Sequence, residues 1–149
     1  MGEAMDNNRI HLQIITPRGV KFDRRARMVV FRCIDGNMGI LPRHERITTV
    51  LGDGILRIID GEDAAAEKIA VFGGIATVEN NTIKLLTSIA QLPEEIDLAR
   101  AERDKEQMEQ FLQEQEDDLE MQGYQVLLRR ALVRIEVSTY VRDDGDDTE

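Results

Sequence analysis

Apolar residues recur at every second position over the first part of the chain and at every third or fourth over the last, and the change falls at Pro93. Ile10, Leu12 and Ile14 alternate with His11 and Gln13, the pattern of a strand with one face buried. Pro17-Arg18-Gly19 marks a tight turn, and Val20–Phe22 and Met28–Phe31 read as further strands. Asp35-Gly36-Asn37-Met38-Gly39 reads as a turn-rich loop. Ile55–Ile59 is an apolar strand closed by the hairpin signal Asp60-Gly61. Ile69–Phe72 and Ile75–Val78 flank Gly73-Gly74, a hairpin or a bulge, and Glu79-Asn80-Asn81 turns the chain into the alternating run Thr82–Thr87. Short strands at regular spacing with turn residues between them predict an antiparallel β-sandwich over residues 10–91.

From Pro93 to about Val137 the residues are strong helix formers and no further Pro interrupts them. Pro93 suits a helix start, where its missing N–H is no loss. Ile96, Ala99, Arg103, Met108, Phe111 and Leu112 give the first helix a thin stripe; Leu128, Ala131, Leu132 and Ile135 give the second a clearer one. Two breaks fit: a turn near Gln115–Asp118, with Asp117 capping and Glu120 reaching back, which is favoured and leaves Gly123 inside the second helix, or Gly123 as the end of the first. The pattern predicts an antiparallel α-helical hairpin over residues 92–140, between an unstructured start (1–9) and an acidic, unstructured tail (141–149). Both helices are heavily charged, so each buries little, and such a hairpin opens easily.

Composition narrows the function. The net charge of −10 and the absence of Trp argue against a nucleic-acid surface, which needs basic excess and stacking rings. A single cysteine, Cys33, excludes an internal disulfide and reads as a buried thiol. His11 and His44 fall in no zinc spacing, and His11 reads as an outward strand residue. The chain has no phosphate loop and no nucleophile elbow, and its carboxylate pairs, Glu94-Glu95 and Asp117-Asp118, read as solvated helix faces. No catalytic residue, metal site or required cofactor is expected. No apolar run is long enough to cross a bilayer, and the polar start is unlike a signal peptide.

Three segments taken in order resemble one family. Gly36-Asn37-Met38-Gly39-Ile40-Leu41-Pro42-Arg43-His44 resembles its Gly-x-x-Gly-Ile-Leu-Pro-Gly-His loop. Gly54-Ile55-Leu56-Arg57-Ile58 resembles its Gly-x-Leu-Arg-Ile strand, and Val71-Phe72-Gly73-Gly74-Ile75 its Gly-Gly strand turn. The family is the epsilon subunit of bacterial ATP synthases (delta in mitochondria). The resemblance implies a non-catalytic sandwich on the central stalk, peripheral at the cytoplasmic face of the membrane. Its implied partners are the gamma subunit and the membrane c-ring, through Asn37, Met38, Ile40, Leu41 and His44. It also implies helices that extend toward the alpha and beta subunits and inhibit ATP hydrolysis.

Ile96-Asp97-Leu98-Ala99-Arg100-Ala101 resembles the Ile/Leu-Asp-x-x-Arg-Ala motif by which some members bind ATP as a regulatory ligand. Arg130 and Arg134 stand where second-helix arginines face that nucleotide, one turn apart on one face. Four positions depart from the family: Arg43 for Gly, Arg46 for Pro, Asn37 for an acidic residue, and Gln91 for an acidic residue of the ATP-binding members. The competing reading is a free-standing β-sandwich adaptor whose helices pair with an unrelated partner.

Overall fold

A computed structural model describes residues 8–61, 66–114 and 118–147. The alternating start becomes β1 (Ile10–Thr16), which pairs antiparallel with β2 (Gly19–Ala26). β3 (Met28–Cys33) and β4 (Gly36–Ile40) form a tight hairpin, so the segment expected as a loop is strand from Gly36 onward. Gly36 at φ +128 allows it: the chain turns on Ile34-Asp35 alone and pairs again at Cys33↔Gly36. β5 (Ile47–Ile59) and β6 (Glu67–Glu79) are 13-residue partners. Only the second half of β5 was readable, because Thr48, Thr49, Gly52 and Asp53 dilute its first half. β6 runs straight through Gly73-Gly74, which is neither a hairpin nor a register shift against β5. Both glycines have positive φ, so the strand bends there without breaking.

β7 (Thr82–Leu86) follows through the two-residue turn Asn80-Asn81, both at positive φ, as a tight hairpin requires. β8 (Ala90–Gln91) adds a short pairing to β6, and the strand order is β2-β1-β7-β6-β5-β3-β4. β1 and β7 are parallel neighbours. The sheet forms a β-sandwich. Its inward phase supplies Ile10, Leu12, Ile14, Val29, Phe31, Ile40, Leu56, Ile58, Ile69, Ile83 and Leu85, all at most 2% exposed. Cys33 is part of this core. Arg9, expected in an unstructured start, is held: its carbonyl accepts from Asn81 Nδ2 at 2.7 Å, and its guanidinium lies 3.3 Å from Asp60.

The chain divides into two compact units, Met1–Ala90 and Gln91–Glu149. The second opens with a 3-10 turn, Pro93–Glu95, and helix α1 (Leu98–Glu114) starts five residues after Pro93. Ile96 is extended between them, at φ −91 and ψ 128, so the helix cannot run back to Pro93. Helix α2 spans Asp118–Asp147 and passes through Gly123. The expected turn residues 115–117, including the cap Asp117, lie outside the described residues, as do 148 and 149. Residues 141–147, expected as unstructured tail, carry helical backbone. Extending a formed helix by one residue is far easier than starting one.

The stripes also differ from expectation. On α1 the covered positions are Leu98, Ala101, Asp104, Lys105, Met108 and Leu112, of which all but Asp104 keep a regular three-four spacing, while Ala99 and Arg103 are exposed. On α2 Ala131, Val133 and Val137 are buried and Leu132 is 46% exposed. Phe111 and Tyr124 stack across the two helices with ring centroids 5.1 Å apart. Ala101 and Ala131, each 1% exposed, let backbones approach closely.

Candidate functional site

Two regions collect the candidate residues. In the sandwich, Asn37 and Leu41 are exposed, Met38 and His44 are half-buried, and Ile40 is fully buried. Ile40 belongs to the core and offers no side chain to a partner: in β4 the inward phase falls on it, opposite Val29. The chain then turns, with His44 N–H donating to Leu41 O at 3.2 Å. Arg43 takes φ +65, the left-handed conformation for which the family's glycine is suited. Its N–H donates to Asn81 Oδ1 at 2.9 Å. Asn81 thus ties this turn to Arg9 at the foot of β1.

A second feature of the sandwich was not expected. Ile34, Val50, Ile75, Leu86, Ile15 and Val20 form one row across the outer face. Ile34 N–H donates to Val50 O, and the register pairs Val50↔Ile75, Ile75↔Leu86, Leu86↔Ile15 and Ile15↔Val20. Paired residues share a face. Ile34 is 66% exposed, Val50 50%, Ile75 45%, Leu86 47% and Val20 57%. Scattered exposed apolar residues are ordinary, but an aligned row is the mark of a covered surface. Beside its middle, Ile15, Pro17, Phe72, Gly73, Gly74, Leu86 and Thr87 line a mostly apolar cavity of about 430 Å³. Thr87 Oγ1 shapes its wall by donating to Gly73 O at 2.7 Å. Val50, Ile75, Leu86, Ile15 and Val20 each break the polar phase of their strand, and Ile34 is an apolar residue in a turn, signals present in the sequence. Their alignment depends on register, which the sequence does not show.

In the helical unit, Asp97 caps α1: its Oδ1 accepts from Arg100 N–H at 3.1 Å, and its carbonyl from Ala101 N–H at 3.0 Å. A cleft of about 250 Å³ is lined by Gln91, Glu95, Asp97, Arg100, Ala101, Asp104 and Arg134. Arg134 Nε donates to Gln91 Oε1 at 2.7 Å. The cleft therefore brings together Asp97, Arg100, Ala101 and Arg134. Ile96 and Arg130 do not line it. Sequence reading missed Glu95 and Asp104, which put two more carboxylates beside the arginines. Glu95 is engaged, with Oε1 accepting from Leu92 N–H at 2.8 Å.

Residues 9–93 match the family model described as "ATP synthase, Delta/Epsilon chain, beta-sandwich domain", and residues 94–139 that described as "ATP synthase, Delta/Epsilon chain, long alpha-helix domain". The chain belongs to the ATP synthase delta/epsilon family. It is 38% identical over 124 residues to the "ATP synthase epsilon chain" of Caldicellulosiruptor saccharolyticus, an alignment covering 83% of this chain and 89% of that one. Its fold is similar to a chain of the Euglena gracilis mitochondrial ATP synthase (OSCP/F1/c-ring, rotational state 1). The TM-score is 0.73 at 21% identity, over 89% of this chain and 82% of that one. The boundary between the two family segments falls at the 3-10 turn, where the delta/epsilon chain passes from strand to helix. No described helix is long and apolar enough to cross a membrane.

Proposed function

We propose that this chain is the epsilon subunit of an ATP synthase central stalk, a non-catalytic rotor component seated on gamma by its sandwich. The apolar row carries the reading. A surface that spends five exposed aliphatic side chains in register is built to be covered. Asn37, Leu41 and His44 stand on a separate turn, braced by Asn81, which suits the contact with the c-ring at the membrane. The test is assembly: Ile75→Glu with Leu86→Glu places two charges in the middle of the row. Co-purification with gamma should drop at least tenfold while the isolated chain still melts cooperatively. Undiminished co-purification removes the reading.

The helices regulate. Their buried positions are few and small, so the pair can leave its packed state and extend toward alpha and beta to inhibit hydrolysis. Deleting residues 94–149 should raise the ATP hydrolysis rate of the complex several-fold; an unchanged rate excludes inhibition.

ATP as the ligand that holds the helices packed is a second reading, favoured by the cleft that gathers Asp97, Arg100 and Arg134. Arginine forks suit phosphate oxygens, and the Gln91 amide would yield Arg134 to a nucleotide. Calorimetry with millimolar ATP, on the parent chain and on Arg134→Ala, decides it: heat in the first that is lost in the second supports ATP.

A further inference from the structure

We infer that the occupant of the apolar row is an amphipathic helix of the stalk partner, lying across the strands with its C-terminal end over β2 and its N-terminal end over the β3–β4 turn. This rests on the stalk reading above and adds the partner's secondary structure and direction.

Spacing selects a helix. The row advances one residue per strand, about 4.8 Å per step, so its five steps span about 24 Å. A helix offers one apolar residue per turn of about 5.4 Å, close to that step. An extended chain offers one every second residue, about 6.7 Å, and falls out of phase within three strands. About 16 helical residues cover the row.

Charge selects the direction. At the β2 end, Arg18 and Lys21 flank Val20 and make that end cationic; at the other end, exposed Asp35 follows Ile34 and offsets exposed Arg32, which precedes Ile34 by two. Cations stabilise a helix C-terminus, so the cationic β2 end favours the orientation that sets the helix C-terminus there and its N-terminus over the charge-balanced end at Ile34. The cavity beside Ile15 and Leu86 then lies under the middle of that helix, where a buried anchor side chain contributes most to binding.

The experiment places a photo-reactive benzoylphenylalanine at Val20 or at Ile34 in the full chain, assembles the complex with gamma and maps the links by mass spectrometry. Both sites should link to one helix about 16 residues apart, the Val20 link nearer that helix's C-terminus. Reversing the end charges, Lys21→Glu with Asp35→Lys, should weaken association about tenfold in low salt and much less in high salt. Links in reversed order, to a strand, or to two separate segments overturn the inference and leave the stalk reading intact. A complex that assembles normally with neither site linking to gamma overturns both.

Discussion

The two units are built on opposite terms. The sandwich holds twelve Lys and Arg against eleven Asp and Glu, a net charge of +1. The helical unit holds seven against eighteen, a net charge of −11, so the acidity of the whole chain sits in its helices. The sandwich buries full-sized Ile, Leu, Val and Phe side chains on most strands. Among described residues the helical unit buries only Ala101, Ala131, Val133 and Val137. A core of large aliphatics offsets the entropy of ordering; two alanines and two valines beside a large like-charge excess offset less of it. The difference in burial is the one that the proposed division of labour requires, a platform of fixed shape beside helices held less firmly.

Truncation of each core gives the largest test of that difference. Phe31, 1% exposed, should cost about 3–5 kcal/mol as Phe31→Ala and lower the urea midpoint of the sandwich. Val137→Ala should cost about 2 kcal/mol, read by faster amide exchange in α1 and α2 with the strands unmoved. If both variants shift every amide alike, the molecule is one cooperative unit and the contrast fails.

Gly73 and Gly74 test how rigid the platform is. A Cβ on Gly74 would lie 2.2 Å from Leu86 O at a φ of +124, so Gly74→Ala should cost about 3 kcal/mol. Gly73→Ala meets only Asp53 Oδ1 at 3.9 Å and should cost about 1–2 kcal/mol, the left-handed strain alone. Urea midpoints of the two variants give both values. Equal costs would mean that β6 and β7 separate readily, contrary to a fixed platform.

The fold was legible where one face is buried. Thr82-Ile83-Lys84-Leu85 alternates because the sheet's inner face demands it, and β7 lay where the alternation put it. The first half of β5 was not legible, because its exposed threonines and Gly52 carry no stripe. On α1 Met108 and Leu112 were placed correctly, but the first half of the stripe was set two residues early, since Ala101, small and between charged neighbours, leaves little mark in the sequence although it is buried. Asp97, Arg100 and Arg134 were legible through resemblance, and the cleft gathers them. Glu95 and Asp104 were not, because carboxylates on charged helices read as solvent-facing. The row was least legible: six positions spread from Ile15 to Leu86 become one surface only through register.

Arg43 gives a smaller effect and sharpens the platform side. A non-glycine residue at φ +65 carries about 1–2 kcal/mol of strain, part of which glycine's extra chain entropy offsets. Arg43→Gly should therefore raise stability by at most about 1 kcal/mol. Arg43→Val, β-branched and poorly suited to that φ, should lower it by about 1–2 kcal/mol. Thermal melts of the two variants read the sign. A loss in both would mean that the arginine side chain itself supports the turn.

The smallest effect is a pH dependence, and here the two units should respond with opposite signs. On the sandwich surface Gln13 Nε2 donates to Asp23 Oδ2 at 3.0 Å, and His11 Nε2 lies 2.5 Å from Asp23 Oδ1. The Gln13 hydrogen bond, then that of His11, holds the Asp23 carboxyl below its ordinary value of 3.8. A carboxyl depressed in the folded state contributes stability above its unfolded value and loses it as pH falls through the folded one. Asp23 therefore supports the sandwich at neutral pH, and the support fades below about pH 4. Asp23→Asn should flatten the acid limb of the melting curve there and leave its shape at neutral pH unchanged. The helical unit carries a net −11, so protonating its carboxylates relieves repulsion, and its helix signal should hold or rise over the same range. Circular dichroism of the parent chain and of Asp23→Asn between pH 2 and 6 reads both limbs (a range set by ordinary carboxylate values of about 4). A helix signal that falls together with the strand signal would show that the acidic excess does not weaken the helices, and their marginal hold would need another cause.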